Sequence, residues 1–140
     1  MSIKSEKIWM DGRLVDYEAA QVHVLTHTLH YGYGVFEGIR AYRRSGGESH
    51  IFRLTEHVRR LFESAHILGI EIPYTKGELI EACSMTLRAN KFDWGYLRPL
   101  VFLGSEAMGL GAVGNTVHVT IPAWQWGAYL GTEGLQFGIR

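Results

Sequence analysis

Cysteine is almost absent from these 140 residues: Cys83 stands alone, so no disulfide can form within the chain. A single thiol fits a reducing compartment, and the cytoplasm is the expected location. Net charge is missing too, since 14 Lys and Arg balance 14 Asp and Glu. That balance leaves no electrostatic footprint for nucleic acid or an anionic membrane, and neither is expected as a partner. The opening MSIKSEKIWM lacks the apolar run of a signal peptide, and no stretch is apolar for long enough to span a bilayer. Repeats, low-complexity tracts, charge blocks and linkers are also lacking.

What is present suits one globular domain: 46% hydrophobic and 20% charged residues, enough for a modest core. KIWM-DG-RLVD reads as a hairpin turned by Asp11-Gly12. A helical turn near His27–Tyr31 precedes a strand from Val35 to Arg43. Ser45-Gly46-Gly47 turns the chain into a second strand, Ser49 to Phe52. Leu54, Val58, Leu61, Phe62, Ala65 and Leu68 then form one apolar stripe, predicting a helix over 54–68 that Gly69 stops. Thr75-Lys76-Gly77-Glu78 is a capping box opening a second helix to about Asn90, with Cys83 buried inside it. Strands from Gly95 to Leu103 and from Thr116 to Trp124 follow, joined by GSEAMGLGAVGN. A last strand begins near Leu135. Hairpins followed by paired helices predict an α+β fold, a mainly antiparallel sheet with two helices on one face.

Two motifs invite over-reading. Gly109, Gly111 and Gly114 match GxGxxG literally, but the β-branched NTVHVTIPAW follows instead of a helix, so the glycines are read as a loop between strands. His23, His27 and His30 have a spacing that could suit zinc. Without HExxH, and with VHV extended, they are read as histidines satisfied by backbone groups, with no metal site. Trp124 and Trp126 fit core or pocket equally. On the first long helix, Arg60 lies opposite the apolar stripe, on a solvated face. Arg59 lies nearer the edge, from where it could reach an anion.

GYLRPLVFL carries more. Alternation puts Tyr96, Arg98, Leu100 and Phe102 on one face. A planar guanidinium beside a rigid phenol is a carboxylate-recognising pair. Pro99 suggests an edge strand or a bulge. In GVFEGIRAY, Phe36, Gly38, Arg40 and Tyr42 share a face, and Gly38 leaves a hole beside the Phe36 ring that makes room for a ligand.

HTLHYGYGVFEGIRAY, FRLTEHVRRLFESA, YLRPLVFLG and AMGLG, in that order, resemble the N-terminal half of a branched-chain amino acid aminotransferase, a fold-type IV enzyme using pyridoxal 5'-phosphate. The resemblance implies that Phe36, Gly38, Trp126 and Tyr129 line the branched side-chain pocket. It implies that Tyr96 donates to the substrate α-carboxylate and Arg98 binds the side-chain carboxylate of glutamate. Arg59 would hold the cofactor phosphate. Tyr31 and Met108-Gly109-Leu110 would complete the neighbouring subunit's site in a homodimer or larger assembly.

One departure stands against these matches. Pyridoxal enzymes need a lysine for the Schiff base, and the only lysines are Lys4, Lys7, Lys76 and Lys91, none in an apolar setting. In the family that lysine lies in a larger C-terminal domain. Residues 1–140 are therefore expected to be a single N-terminal small domain whose last strand is cut at Arg140, inactive alone and completed by the missing domain. The expected reaction transfers the amino group of leucine, isoleucine or valine to 2-oxoglutarate. The alternatives are a D-amino acid transaminase or aminodeoxychorismate lyase of the same fold, or a non-catalytic oligomerisation or ligand-binding module.

Overall fold

The computed structural model describes residues 5–47, 49–111 and 114–127. The expected last strand near Leu135 lies outside them. Asp11 and Gly12 both take positive φ, 47° and 92°, and turn β1 (Lys7–Met10) into β2 (Arg13–Asp16). A short helix, α1 (His27–Tyr31), leads into β3 (Gly34–Phe36), β4 (Ile39–Arg43) and β5 (Ser49–Ile51). Two long helices follow, α2 (Leu54–Ile67) and α3 (Lys76–Ala89). The chain ends with β6 (Gly95–Leu97), β7 (Leu100–Leu103), β8 (Val117–Ile121) and β9 (Ala123–Trp124).

The helix punctuation follows local chemistry. Thr75 accepts from the Glu78 N–H at 3.2 Å, and Glu78 accepts from the Thr75 N–H at 2.7 Å, closing the capping box of α3. Gly69, at φ 68°, lets the chain leave α2, with Ile70 N–H donating back to the Ala65 carbonyl at 2.9 Å. The stripe on α2 buries Val58, Leu61 and Ala65, with Leu54, Phe62 and Leu68 packed at its edge. Cys83 is wholly buried in α3, and burial pushes its thiol up to about 12. A thiol held neutral at that depth packs as a small apolar group.

The α+β reading holds, but the sheet is two sheets. One has the order β2-β1-β8-β7-β3, the other β5-β4-β6-β9, and every pairing is antiparallel. The three strands expected as continuous, 35–43, 95–103 and 116–124, each break at one level and cross between the two sheets. The breaks fall at Glu37-Gly38, Arg98-Pro99 and Pro122. Neither proline can donate to a ladder, so each marks a corner. Pro99 precedes an internal strand, β7, so the expected edge is instead this corner. The corner is stitched by Glu37 N–H to the Pro99 carbonyl at 2.9 Å and Arg98 N–H to the Pro122 carbonyl at 3.0 Å. One apolar cluster, including Ile39, Leu61, Leu79, Leu97 and Ile121, joins both sheets to both helices.

Candidate functional site

The corner gathers the side chains that matter most. Register opposes Arg40 to Tyr96 and Tyr96 to Trp124, so these residues stand side by side across three strands. The Tyr96 ring meets Trp124 and Trp126, each with centroids 5.1 Å apart, which settles both tryptophans as parts of an aromatic wall. Arg40 steadies its far end by donating to the Gly127 carbonyl at 3.0 Å. Tyr129 lies outside the described residues.

Gly38 has a different purpose from the one expected. A Cβ there would overlap the Tyr96 hydroxyl. The space beside Gly38 therefore admits Tyr96 itself, and the glycine bears on the aromatic wall only through that ring. Phe36, in the other sheet, is 60% exposed, and the Arg98 guanidinium lies 4.6 Å from its centroid. Arg98 Nη2 donates to the Tyr96 hydroxyl at 3.0 Å, while Arg98 Nε is buried without a hydrogen-bond partner. Among the described residues, Arg98 meets no carboxylate. A guanidinium beside a phenol and an exposed ring has the chemistry to bind an anion with an apolar neighbour.

Behind the corner lies a charge cluster that the sequence reading passed over. Glu37 is 4% exposed. It accepts from Arg60 through Nε and through Nη2, the latter at 2.6 Å, and meets His57 Nδ1 at 2.8 Å. Burial alone would raise its pKa, but the hydrogen bonds and charges of Arg60 and His57 outweigh this and hold it below the ordinary 4.5. Arg60 lies on a solvated face as expected, 62% exposed, but it is also bonded to a buried carboxylate across the corner. The signal was in the alternation: Val35, Glu37, Ile39 and Ala41 share one side and are all buried. A carboxylate in that register requires a cation.

Arg59 is 62% exposed, with Glu63 at 3.5 Å. It lines an open cleft of about 290 Å³ with Arg53, Glu56, His57, Arg60 and Glu63. Tyr31, Met108, Gly109 and Leu110 form a second group beyond the other end of β7 from Arg98. The Tyr31 hydroxyl accepts from the Gly109 N–H at 3.1 Å, and His27 Nε2 meets the Gly109 carbonyl at 2.8 Å. Leu110 projects 94% exposed. His23 and His30 also meet backbone groups, the Leu25 N–H at 3.1 Å and the Val24 carbonyl at 2.9 Å, as expected of them. The three described lysines keep away from both groups: Lys7 pairs with Asp16, Lys76 sits over Phe62, and Lys91 follows α3; Lys4 lies outside the described residues. The donors fit carboxylate and phosphate groups, and none of these three lysines is placed to bond a cofactor.

The family described as Amino-transferase class IV matches residues 34–139. Over 140 residues the chain is 54% identical to a branched-chain-amino-acid aminotransferase of Pseudomonas aeruginosa, covering 100% of this chain and 45% of that protein. The Escherichia coli enzyme of the same name is 44% identical over 137 residues, covering 97% and 44%. A crystal structure of the Escherichia coli branched-chain amino acid aminotransferase superposes with a TM-score of 0.90 at 43% identity, covering 94% of this chain and 43% of that one. A crystal structure of the branched-chain aminotransferase from the thermophilic archaeon Thermoproteus uzoniensis with norvaline does so with a TM-score of 0.84 at 46% identity, covering 90% and 42%. The chain spans less than half the length of these relatives. By the extent of the family match and the agreement of the fold, it belongs to the class IV aminotransferases.

Proposed function

We propose that these residues form the small N-terminal domain of a pyridoxal-phosphate-dependent branched-chain amino acid aminotransferase, which moves the amino group of leucine, isoleucine or valine to 2-oxoglutarate. The carrying observation is the Arg98–Tyr96 pair, with the guanidinium over the exposed Phe36 ring. Such an enzyme must accept an apolar side chain and a carboxylate in one pocket. An apolar wall alone would reject glutamate, and a cation buried at its centre would reject leucine. A guanidinium laid over an exposed ring answers both demands.

In this reading Arg98 donates to the Tyr96 oxygen, which leaves the phenol O–H free to bind the substrate α-carboxylate. The remaining Arg98 donors hold the side-chain carboxylate of glutamate. Phe36, Trp126 and Tyr129 form the apolar wall, with Gly38 behind it. Arg59 takes the cofactor phosphate in its open cleft. The cofactor, when bound, supplies the electron sink for the amino acid and carries the amino group between half-reactions. The lysine and most of the phosphate cup come from a larger domain outside these residues. Tyr31 and the Met108-Gly109-Leu110 loop serve a second copy's site in a homodimer or larger assembly, in keeping with the exposure of Leu110. In this reading the reaction runs in the cytoplasm, which the single free thiol of Cys83 supports.

Arg98→Ala in the full-length enzyme tests this. Loss of a charged hydrogen bond predicts roughly ten- to a hundredfold lower efficiency with glutamate or 2-oxoglutarate. Leucine should change much less, because its side chain makes no polar contact there. Single-turnover measurement of each half-reaction decides it. An equal loss for both would assign Arg98 to the shared α-carboxylate or to structure.

A further inference from the structure

The segment from Gly104 to Gly111 leaves β7 with little regular structure, yet α1 holds it at two places. The His27 backbone N–H donates to the Gly104 carbonyl at 2.8 Å, where the segment starts. Its side chain, through Nε2, meets the Gly109 carbonyl at 2.8 Å, near the tip. One turn on along α1, Tyr31 accepts from the Gly109 N–H at 3.1 Å, and the two rings lie 4.5 Å apart. Both polar groups of Gly109 are therefore gripped from one face of α1. Gly109 itself has φ 103°, a conformation that other residues rarely adopt. Asn115 secures the base by bonding Gly104 and Ala107.

His27 carries a cost that packing does not explain. It is 3% exposed, and its Nδ1 is buried with no hydrogen-bond partner. A carbonyl only accepts, so Nε2 carries the hydrogen, and in the neutral ring Nδ1 is left as an orphaned acceptor. Buried polar atoms are nearly always partnered, and an apolar ring would fill the same space without one. What offsets the orphan is the donor at Gly109. We propose that His27 is a positioning residue: its Nε2–H fixes the Gly109 peptide and so presents Met108 and Leu110 to the substrate site of a second copy. The proposal rests on the functional reading above for the identity of that site, but not for the grip on the loop.

Two variants of the full-length enzyme separate donor from ring. His27→Phe keeps the ring and loses the donor, whereas His27→Gln keeps a donor at nearly the same reach and loses the ring. Hydrogen–deuterium exchange over residues 104–111 should rise about tenfold in His27→Phe and stay near wild type in His27→Gln. KM for leucine and for 2-oxoglutarate should rise together, about tenfold, in His27→Phe, with kcat within about twofold. Tyr31→Phe, which removes the acceptor on the other side of the same peptide, should raise the same exchange and stands in if His27→Phe does not fold. Wild-type exchange and KM in His27→Phe would overturn the proposal, as would a His27→Gln as impaired as His27→Phe. Wild-type exchange in Tyr31→Phe, where it stands in, would do the same. A wild-type enzyme that does not act on leucine would sink the functional reading alone, and the exchange comparison would still judge the grip of His27.

Discussion

Side by side in one open cleft, Arg60 and His57 bond the buried Glu37 carboxylate, whereas Arg59 has the exposed Glu63 3.5 Å away. The two arginines are neighbours in sequence and chemically identical. What separates them is what the fold brings to each. Glu37 arrives from the corner between the two sheets, in a register otherwise filled by Val35, Ile39 and Ala41. It can stay ionised there only because Arg60 and His57 bond it. Among the described residues, the ion-pair partner of Arg59 is the exposed Glu63. A charge satisfied inside the fold holds architecture, while a charge left open is available to a ligand. The corner also ties the helix carrying Arg59 to the strands carrying Tyr96 and Arg98.

Removing Glu37 should break that comparison most severely. Loss of one partner from a buried ion pair costs roughly 3–5 kcal/mol, and because Arg60 is exposed enough to rehydrate, Glu37→Ala should lie at the low end, about 3 kcal/mol. Urea unfolding at neutral pH measures it. The pH dependence has a definite sign. The folded pKa of Glu37 lies below its ordinary value of 4.5, so its stabilisation is present above that value and lost as pH falls through the folded one. The gap between wild type and Glu37→Ala should therefore narrow in acid. A gap that stays constant, or one under about 1 kcal/mol at neutral pH, would mean that the cluster does not hold the corner.

Much of this fold is written locally. The Asp11-Gly12 turn, the Thr75–Glu78 capping box, the stop at Gly69 and the α2 stripe each depend on residues within a turn or two of one another. The strand breaks are less legible, because alternation continues through them. Pro99 and Pro122 mark two, but the break at Glu37-Gly38 depends on a hydrogen bond to Pro99, 62 residues away by number. The Arg60 partner was missed for the same reason: helical periodicity orients Arg60 away from its own stripe and says nothing of a corner built from other strands. Tyr96 and Arg98 were legible as a pair because strand geometry makes i and i+2 neighbours. The role of Gly38 was not, since the atom that fills its space comes from another strand.

A smaller break is expected at that glycine. Gly38→Ala puts a methyl where the Tyr96 hydroxyl lies, and overpacking of this kind costs about 1–3 kcal/mol. Tyr96→Phe removes the hydroxyl, so alanine at 38 should cost about 1 kcal/mol less in that background. The double-mutant cycle by urea unfolding would show a coupling of that sign. Additive effects would mean that the Tyr96 ring moves aside freely, and the aromatic wall would not be fixed by the corner.

Arg59 should give the smallest change in stability and thereby sharpen the contrast with its neighbour. Its pairing with Glu63 is an exposed i, i+4 pair, worth about 0.3–0.5 kcal/mol at most. Arg59→Ala in the full-length enzyme should accordingly unfold within about 0.5 kcal/mol of wild type. On the proposed function, its effect falls on the cofactor. A charge-assisted bond to phosphate contributes roughly 1.5–3 kcal/mol net, so pyridoxal phosphate should leave the variant roughly ten- to a hundredfold more readily. Absorbance of the retained cofactor during dialysis reads this directly, on a protein whose fold the unfolding measurement has already shown to be intact. Unchanged retention would return Arg59 to the solvated face, bound to Glu63 and nothing else. A large loss of stability would place it with Arg60 among the residues that hold the corner, and the contrast between the two arginines would fail.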